Sequence, residues 1–502
     1  MMTLLEKKYF VPIVLLLWTL IMEMLCNVDS YLYAQTAQFD SAVFYMSGKA
    51  LISGMTPYVD FSDSKGILLW LIYGIGYLFD NYSYVGVFWI SCLFMWVTLI
   101  IGYKTARLWT GRKVSLLSAM ILITPLLFWN VNFETKTEHF CWPFVMYGLY
   151  SLMKSMVKRR NYTKDCFIVA VSVVACIMIK WSIAVMMLSI VQSIGWWSIR
   201  NRSVKQCVLG LCSGIIVGAL PFIVYFSMTG LWDVMIQEYF CNTMSSVSVP
   251  LSELIDVYAG EWLNVLTSKR IMYLLFALVY LLLWNKKDWF ASALPFLCAL
   301  CFLAISIRHD NFGYYTAIVG PFAIYAIVRI VDFIFSKRHG VILASAFCML
   351  LSVYDVQGAI RFRDNFCTKA EHMDKFASIS YAMSTVGKSS VIIIGEDRGL
   401  AMASTFPGTK YWMTQMGATE QMLADQDAAI ERGTADFVIY LWKTDKKDYD
   451  KILNNAGYHI LADSKDGVVY TKHDIQMPKF ERHFTARDII MKKTYIEKYE
   501  QI

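Results

Sequence analysis

Apolar runs of membrane-spanning length recur through the first 354 residues, near 9–27, 83–103, 114–131, 139–157, 166–180, 181–198, 206–228, 271–285, 289–307, 314–335 and 340–354. A backbone that crosses hydrocarbon must satisfy its own hydrogen bonds, so runs of this kind become helices. The expected fold is a polytopic α-helical membrane protein with about 11 spans. With 57% of residues hydrophobic and 17% charged, little of this part could form a soluble core. Two of the runs, 166–180 and 181–198, are short and meet at Lys180. Keeping them separate leaves the basic stretch Arg200 to Lys205 on the inner side; merging them would put it outside.

Orientation follows from the cations. With a cytoplasmic N-terminus, 18 Lys and Arg fall on inner segments and 7 on outer ones, as the positive-inside rule requires. Lys7 and Lys8 precede the first run and no small-residue cleavage site follows it, so the opening segment reads as a retained span. The net charge of +7 belongs mainly to inner loops and gives no reason to expect nucleic acid as a partner. The 12 cysteines lie mostly inside apolar runs and lack metal or disulfide spacing. Neither a cofactor nor a metal is expected.

Beyond residue 354 no run reaches membrane length. Val391 to Gly395, Phe437 to Leu441, Tyr458 to Leu461 and Val468 to Tyr470 read as strands, with helices over Gly417 to Arg432 and Thr444 to Asn455. The expected division is a membrane domain over 1–353, with a first outer loop at 28–82, and a small extracytoplasmic α/β domain over 354–502 that ends in a charged tail. Gly387-Lys-Ser precedes a strand instead of a helix and lacks the earlier glycine of a phosphate loop.

Candidate chemistry gathers at the outer face. Phe39, Val43, Met46 and Ala50 share one face of a helix expected to lie along the membrane surface. Asp40 stands at its start, and Gly54 and Pro57 end it. A carboxylate there can take a proton from a hydroxyl nucleophile; alternatively it only caps the helix. A turn with Asp60, Asp63 and Lys65 follows. Lys65, Lys180 and Arg308 are cations at the outer membrane level, where a lipid phosphate would be a natural partner and snorkelling to headgroups the alternative. Glu138 closes a short outer loop, either as an orienting group or as a loop acid without a role. His139 and His309 read as polar interface residues.

The stretch from Phe39 to Phe79 resembles the first outer loop of family 39 type membrane glycosyltransferases, in the GT-C superfamily that includes protein O-mannosyltransferases and aminoarabinose transferase. The matching positions are Asp40, the run Gly54-Met-Thr-Pro-Tyr-Val-Asp60, and Lys65. Thr137-Glu138 with Pro143-Phe144, Lys180 between two short spans, and Tyr314-Tyr315 before Pro321 resemble later parts of the family pattern. The chain departs from it at Ser41, at Gly66-Ile67 and at Gly313.

The resemblance implies an inverting glycosyltransferase that moves a hexosyl or pentosyl group from a polyprenyl-phosphate carrier to a hydroxyl of a lipid, glycan or protein. Asp40 would be the base, with Lys65, Lys180 and Arg308 on the phosphate. Glu138, Tyr58, Asp60 and Asp63 complete the candidate substrate-binding set. A bacterial plasma membrane is the expected location. Two rivals are a polysaccharide polymerase or ligase, which would not need the Asp40 helix, and a flippase, which would favour charges deep within spans and internal repeats.

Overall fold

The computed structural model describes residues 7–27, 29–30, 39–79, 84–127, 135–160, 162–242, 313–366, 386–394, 405–414, 419–441, 449–464 and 467–475. Contacts divide the chain into two compact units, one of residues 1–27, 91–230 and 249–362, the other of 28–90, 231–248 and 363–502.

The first unit is helical. It holds α1 (Phe10–Cys26), most of α4 (Val85–Ala106), α5 (Arg112–Leu127), α6 (Thr137–Lys158), α7 (Thr163–Ile179), α8 (Trp181–Arg200) and α9 (Val204–Thr229). After a 3-10 stretch, Gly313–Ala323, come α11 (Ile324–Phe335) and α12 (Gly340–Phe366). Four helices, among the described residues, are long and apolar enough to cross a membrane: Val85–Ala106, Trp181–Arg200, Val204–Thr229 and Gly340–Ile360. Phe10–Cys26 and Ile67–Phe79 are shorter apolar helices. The runs expected at 271–285 and 289–307 lie outside the described residues.

Two local features follow directly from residue type. Lys180 takes an extended conformation, φ −153° and ψ 100°, so α7 and α8 are separate helices as the short runs predict. Gly210, Gly214 and Gly218 recur every fourth residue on α9, one face of a helix. A Cβ on Gly214 would come 2.3 Å from the Phe167 carbonyl oxygen, so these glycines let α9 and α7 meet backbone to backbone. The opposite side of α9 leaves Leu209, Ile216 and Leu220 exposed. That apolar surface suits lipid.

In the second unit, α2 (Phe39–Ile52) packs on α3 (Ile67–Phe79) through another close approach. A Cβ on Gly48 would lie 2.5 Å from the Gly74 backbone nitrogen, and one on Gly86 would lie 1.9 Å from the Gly76 carbonyl oxygen. The expected one-faced surface helix is corrected here, because every residue of α2 from Ser41 to Ala50 is buried. Its polar side chains Ser41, Ser47 and Lys49 are covered as well, with the Lys49 ammonium 5.3 Å from the centre of the Phe406 ring. The same unit contains the four-residue helix α10 (Trp232–Met235), which widens into a π-helix over Ile236–Cys241.

Its C-terminal part is a five-stranded sheet, β1 (Ser389–Ile394), β2 (Thr405–Pro407), β3 (Phe437–Leu441), β4 (His459–Ser464) and β5 (Gly467–Thr471), in the order β2-β1-β3-β5-β4. β1 runs parallel to β2 and β3, while β3, β5 and β4 are antiparallel neighbours. Helices α13 (Glu420–Glu431) and α14 (Tyr449–Asn455) complete it. The Thr419 hydroxyl caps α13 by accepting from the Met422 N–H at 3.3 Å. Ile392, Val438, Ile430, Leu453 and Tyr470 share the core. The strands β1, β3, β4 and β5 and both helices match the sequence expectation; β2 is an addition.

Candidate functional site

The first outer turn is built by its own backbone. Gly54, at φ +89°, ends α2, and the Met55 N–H reaches back to the Ala50 carbonyl at 3.0 Å. Asp60 accepts from the Thr56 N–H at 2.6 Å through Oδ2, and its own N–H donates to the Thr56 carbonyl at 2.9 Å. This carboxylate is exposed and serves the turn. Tyr58 adopts φ +64° with a buried ring 4.8 Å from Trp70, and its hydroxyl donates to the Lys65 carbonyl at 3.2 Å. Tyr58 therefore braces the backbone of Lys65 from below.

Asp63 and Lys65 form the chemically open part of this turn. Asp63 is buried; its Oδ1 accepts from the Ser64 N–H at 2.5 Å and lies 3.9 Å from the Lys65 ammonium. The Oδ2 atom has no hydrogen-bond partner among the described residues. Burial pushes the Asp63 carboxyl up from the ordinary range, with Asp40 adding to the rise and Lys65 and Ser64 opposing it. Lys65 donates to the Ser64 hydroxyl at 2.8 Å and sits 5.4 Å from the centre of the Phe44 ring. It immediately precedes Gly66 and the start of α3, where unpaired backbone N–H groups add positive potential to the ammonium. Asp40, half-buried in the first turn of α2, belongs to the same unit.

Glu138 and Lys180, in the helical unit, are brought together. The ammonium donates to Glu138 Oε1 at 2.6 Å, and the Thr137 hydroxyl donates to Oε2 at 2.8 Å. Lys180 thus has a protein carboxylate at hydrogen-bond distance, a pairing the sequence reading did not foresee. Arg308, the Asn132 to Glu134 part of the outer loop and His309 lie outside the described residues.

Glu23, Asn27 and Glu238 were missed by sequence reasoning, and His139, expected as a polar interface residue, is buried. Beside Glu138, His139 Nε2 approaches Glu23 Oε1 to 3.2 Å, and the Asn27 amide donates to Glu23 Oε2 at 2.9 Å and to the Thr135 hydroxyl at 3.0 Å. A carboxylate inside the first apolar run was the available signal for Glu23. In the other unit, Glu238 on the π-helix accepts from Ser62 at 2.9 Å, from the Tyr411 hydroxyl at 2.9 Å and from the Lys410 ammonium at 2.6 Å. Burial and then Glu238 push the Tyr411 phenol up, which keeps it a donor. No local pattern marks Glu238, because its partners lie more than 170 positions away in either direction.

Residues 67–228 match the sequence model of the dolichyl-phosphate-mannose-protein mannosyltransferase family. No curated protein matches the chain in sequence. Among solved structures, ArnT from Cupriavidus metallidurans bound to undecaprenyl phosphate superposes with a TM-score of 0.59 at 11% identity, covering 93% of this chain and 99% of that one. The apo state of the same protein gives 0.51 at 11% identity, covering 92% and 97%. At that identity the likeness is one of fold. With the family match, it bears out the resemblance to GT-C membrane glycosyltransferases and a multi-pass membrane protein.

Proposed function

We propose that this chain is an inverting glycosyltransferase that takes one hexosyl or pentosyl group from a polyprenyl-phosphate carrier at the outer face of a bacterial plasma membrane. The acceptor is a hydroxyl of a lipid, glycan or protein. The observation that carries this reading is the Asp63–Lys65 turn: a partly exposed ammonium, 3.9 Å from the Asp63 carboxylate, stands at the start of a 13-residue helix. Such a place suits a phosphate, because the ammonium and the helix N–H groups act on it together. The undecaprenyl phosphate bound by the ArnT of similar fold supports the same ligand class.

In the reaction the acceptor oxygen attacks the anomeric carbon and the bond to the phosphate oxygen breaks, its electron pair staying with the phosphate. The acceptor proton passes to Asp40. The departing phosphate is held by Lys65, so no protonating acid is needed. Glu138 orients Lys180, and Tyr58, Asp60 and Asp63 shape the turn. The N-terminus is cytoplasmic, and residues 354–502 form a domain outside.

The test is Asp40→Asn in the purified protein, with a polyprenyl-phosphate sugar as donor. The amide keeps size and polarity but takes no proton, so transfer should fall about a hundredfold or more while folding is kept. Near-normal turnover would return Asp40 to a capping role, and efficient transfer from a nucleotide sugar would replace the donor class.

A further inference from the structure

Glu238 is an almost fully buried carboxylate, 6% exposed, on which three distant pieces of chain converge. Ser62 comes from the first outer turn, Glu238 itself from the π-helix after α10, and Lys410 with Tyr411 from the segment that follows β2. A backbone bond doubles the link, since the Ser62 N–H donates to the Lys410 carbonyl at 2.9 Å. The neighbouring Tyr239 ring lies 6.4 Å from that of Tyr58, their planes 30° apart. A buried carboxylate needs such partners, and this one has a cation and two hydroxyls.

The far end of the link is itself anchored. The Ile393 N–H donates to the Trp412 carbonyl at 2.6 Å, and the Gln426 amide donates to the Tyr411 carbonyl at 3.1 Å. Lys410 and Tyr411 are therefore carried by β1 and α13, elements of the sheet domain. Ser62 stands one residue from Asp63 and three from Lys65.

We propose that Glu238 is a positioning residue of the donor site: its carboxylate ties the Ser62–Lys65 turn to Lys410 and Tyr411, so that the C-terminal α/β domain sets where the Lys65 ammonium stands. The inference rests on the reading of Lys65 as a phosphate-binding cation. The domain is then a working part of that site. Without Glu238, the Ser62 end of the turn loses its side-chain acceptor and Lys410 loses its counter-charge, while Asp40 keeps its place on α2.

Full-length protein in lipid nanodiscs allows the test, with a long-chain polyprenyl phosphate lacking sugar as the binding probe. Glu238→Ala should weaken binding of the probe about tenfold or more, and Glu238→Gln, which keeps an acceptor oxygen, should weaken it less. In transfer assays KM for the carrier should rise with kcat nearly unchanged. Lys410→Met should weaken binding too, and combining it with Glu238→Gln should add little, because both break one pair. Wild-type affinity in Glu238→Ala and Lys410→Met, or a fall in kcat at constant KM, would overturn the proposal. Trypsin cleavage after Lys65 separates this idea from the functional reading. If the unaltered protein binds no polyprenyl phosphate, the role of Lys65 fails; the tether itself stands if Glu238→Ala is cut faster than wild type, and falls if both are cut at the same rate.

Discussion

Two lysine–carboxylate pairs in this molecule share their chemistry and differ in closure. Lys180 and Glu138 meet at 2.6 Å, and a threonine hydroxyl takes the second carboxylate oxygen. Lys65 and Asp63 stand 3.9 Å apart, and one carboxylate oxygen accepts nothing from the described residues. The closed pair sits where the chain breaks between two helices, and its satisfied geometry holds that break. The open pair sits on a turn braced by Tyr58 and Ser62, and its partly exposed ammonium can still receive an anion. The difference separates a cation that holds structure from one that is held for a ligand.

Breaking the closed pair should have the largest effect on stability. Glu138→Ala removes the carboxylate that meets a nearly buried ammonium at 2.6 Å and should cost about 3–5 kcal/mol, read as a loss of folded protein in thermal unfolding. Glu138→Gln combined with Lys180→Met should recover most of that, because no charge is then left unpaired. Breaking the open pair should act on the ligand instead. Lys65→Ala should weaken polyprenyl-phosphate binding by about 1.5–3 kcal/mol, roughly tenfold to a hundredfold, with a thermal midpoint close to wild type.

A smaller effect sharpens the contrast. Burial raises the Asp63 carboxyl above its ordinary value of 3.8, so ionising it disfavours the folded state. That cost is absent at pH below 3.8 and grows as pH rises through the higher folded value. Asp63→Asn should therefore raise the thermal midpoint at neutral pH by about 2 °C, with the gain vanishing in acid. Carrier binding should weaken in the same variant if Asp63 helps to place Lys65.

The smallest expected effect lies in the sheet domain. Burial alone would raise the Asp436 carboxyl, but hydrogen bonds from His473 at 2.8 Å and from the Ser390 N–H at 2.7 Å bring it below 3.8. The stability it contributes is complete above that value and fades as pH falls through the lower folded one. Asp436→Asn should flatten the acid end of the domain's melting profile.

The long apolar helices such as α4, α8 and α9, and the break at Lys180, were legible because their causes are local: long apolar runs, and an interruption at a charge. Four strands were legible for the same reason. β2 was not, since it has only three residues, ends in Pro407 and becomes a strand by pairing with Ser389 to Val391. In the candidate site, Gly54 and Pro57 announced the turn, whereas Lys180 and Glu138 were read as separate features 42 positions apart. The burial of α2 was also hidden, because what covers its Lys49 is Phe406, more than 350 residues later in the chain.

The near-contact of α2 and α3 at Gly48 and Gly74 has a kinetic meaning. Two helices joined at backbone distance leave little room for sliding or breathing, so the frame formed by α2, with Asp40 in its first turn, and α3, with Lys65 just before it, is already in place before any lipid arrives. Loading of the carrier should then follow a single exponential whose rate rises linearly with lipid concentration, without the plateau that a preceding conformational step imposes. A bulkier residue at Gly48 would force the helices apart and introduce such a plateau, turning a collision-limited encounter into a gated one.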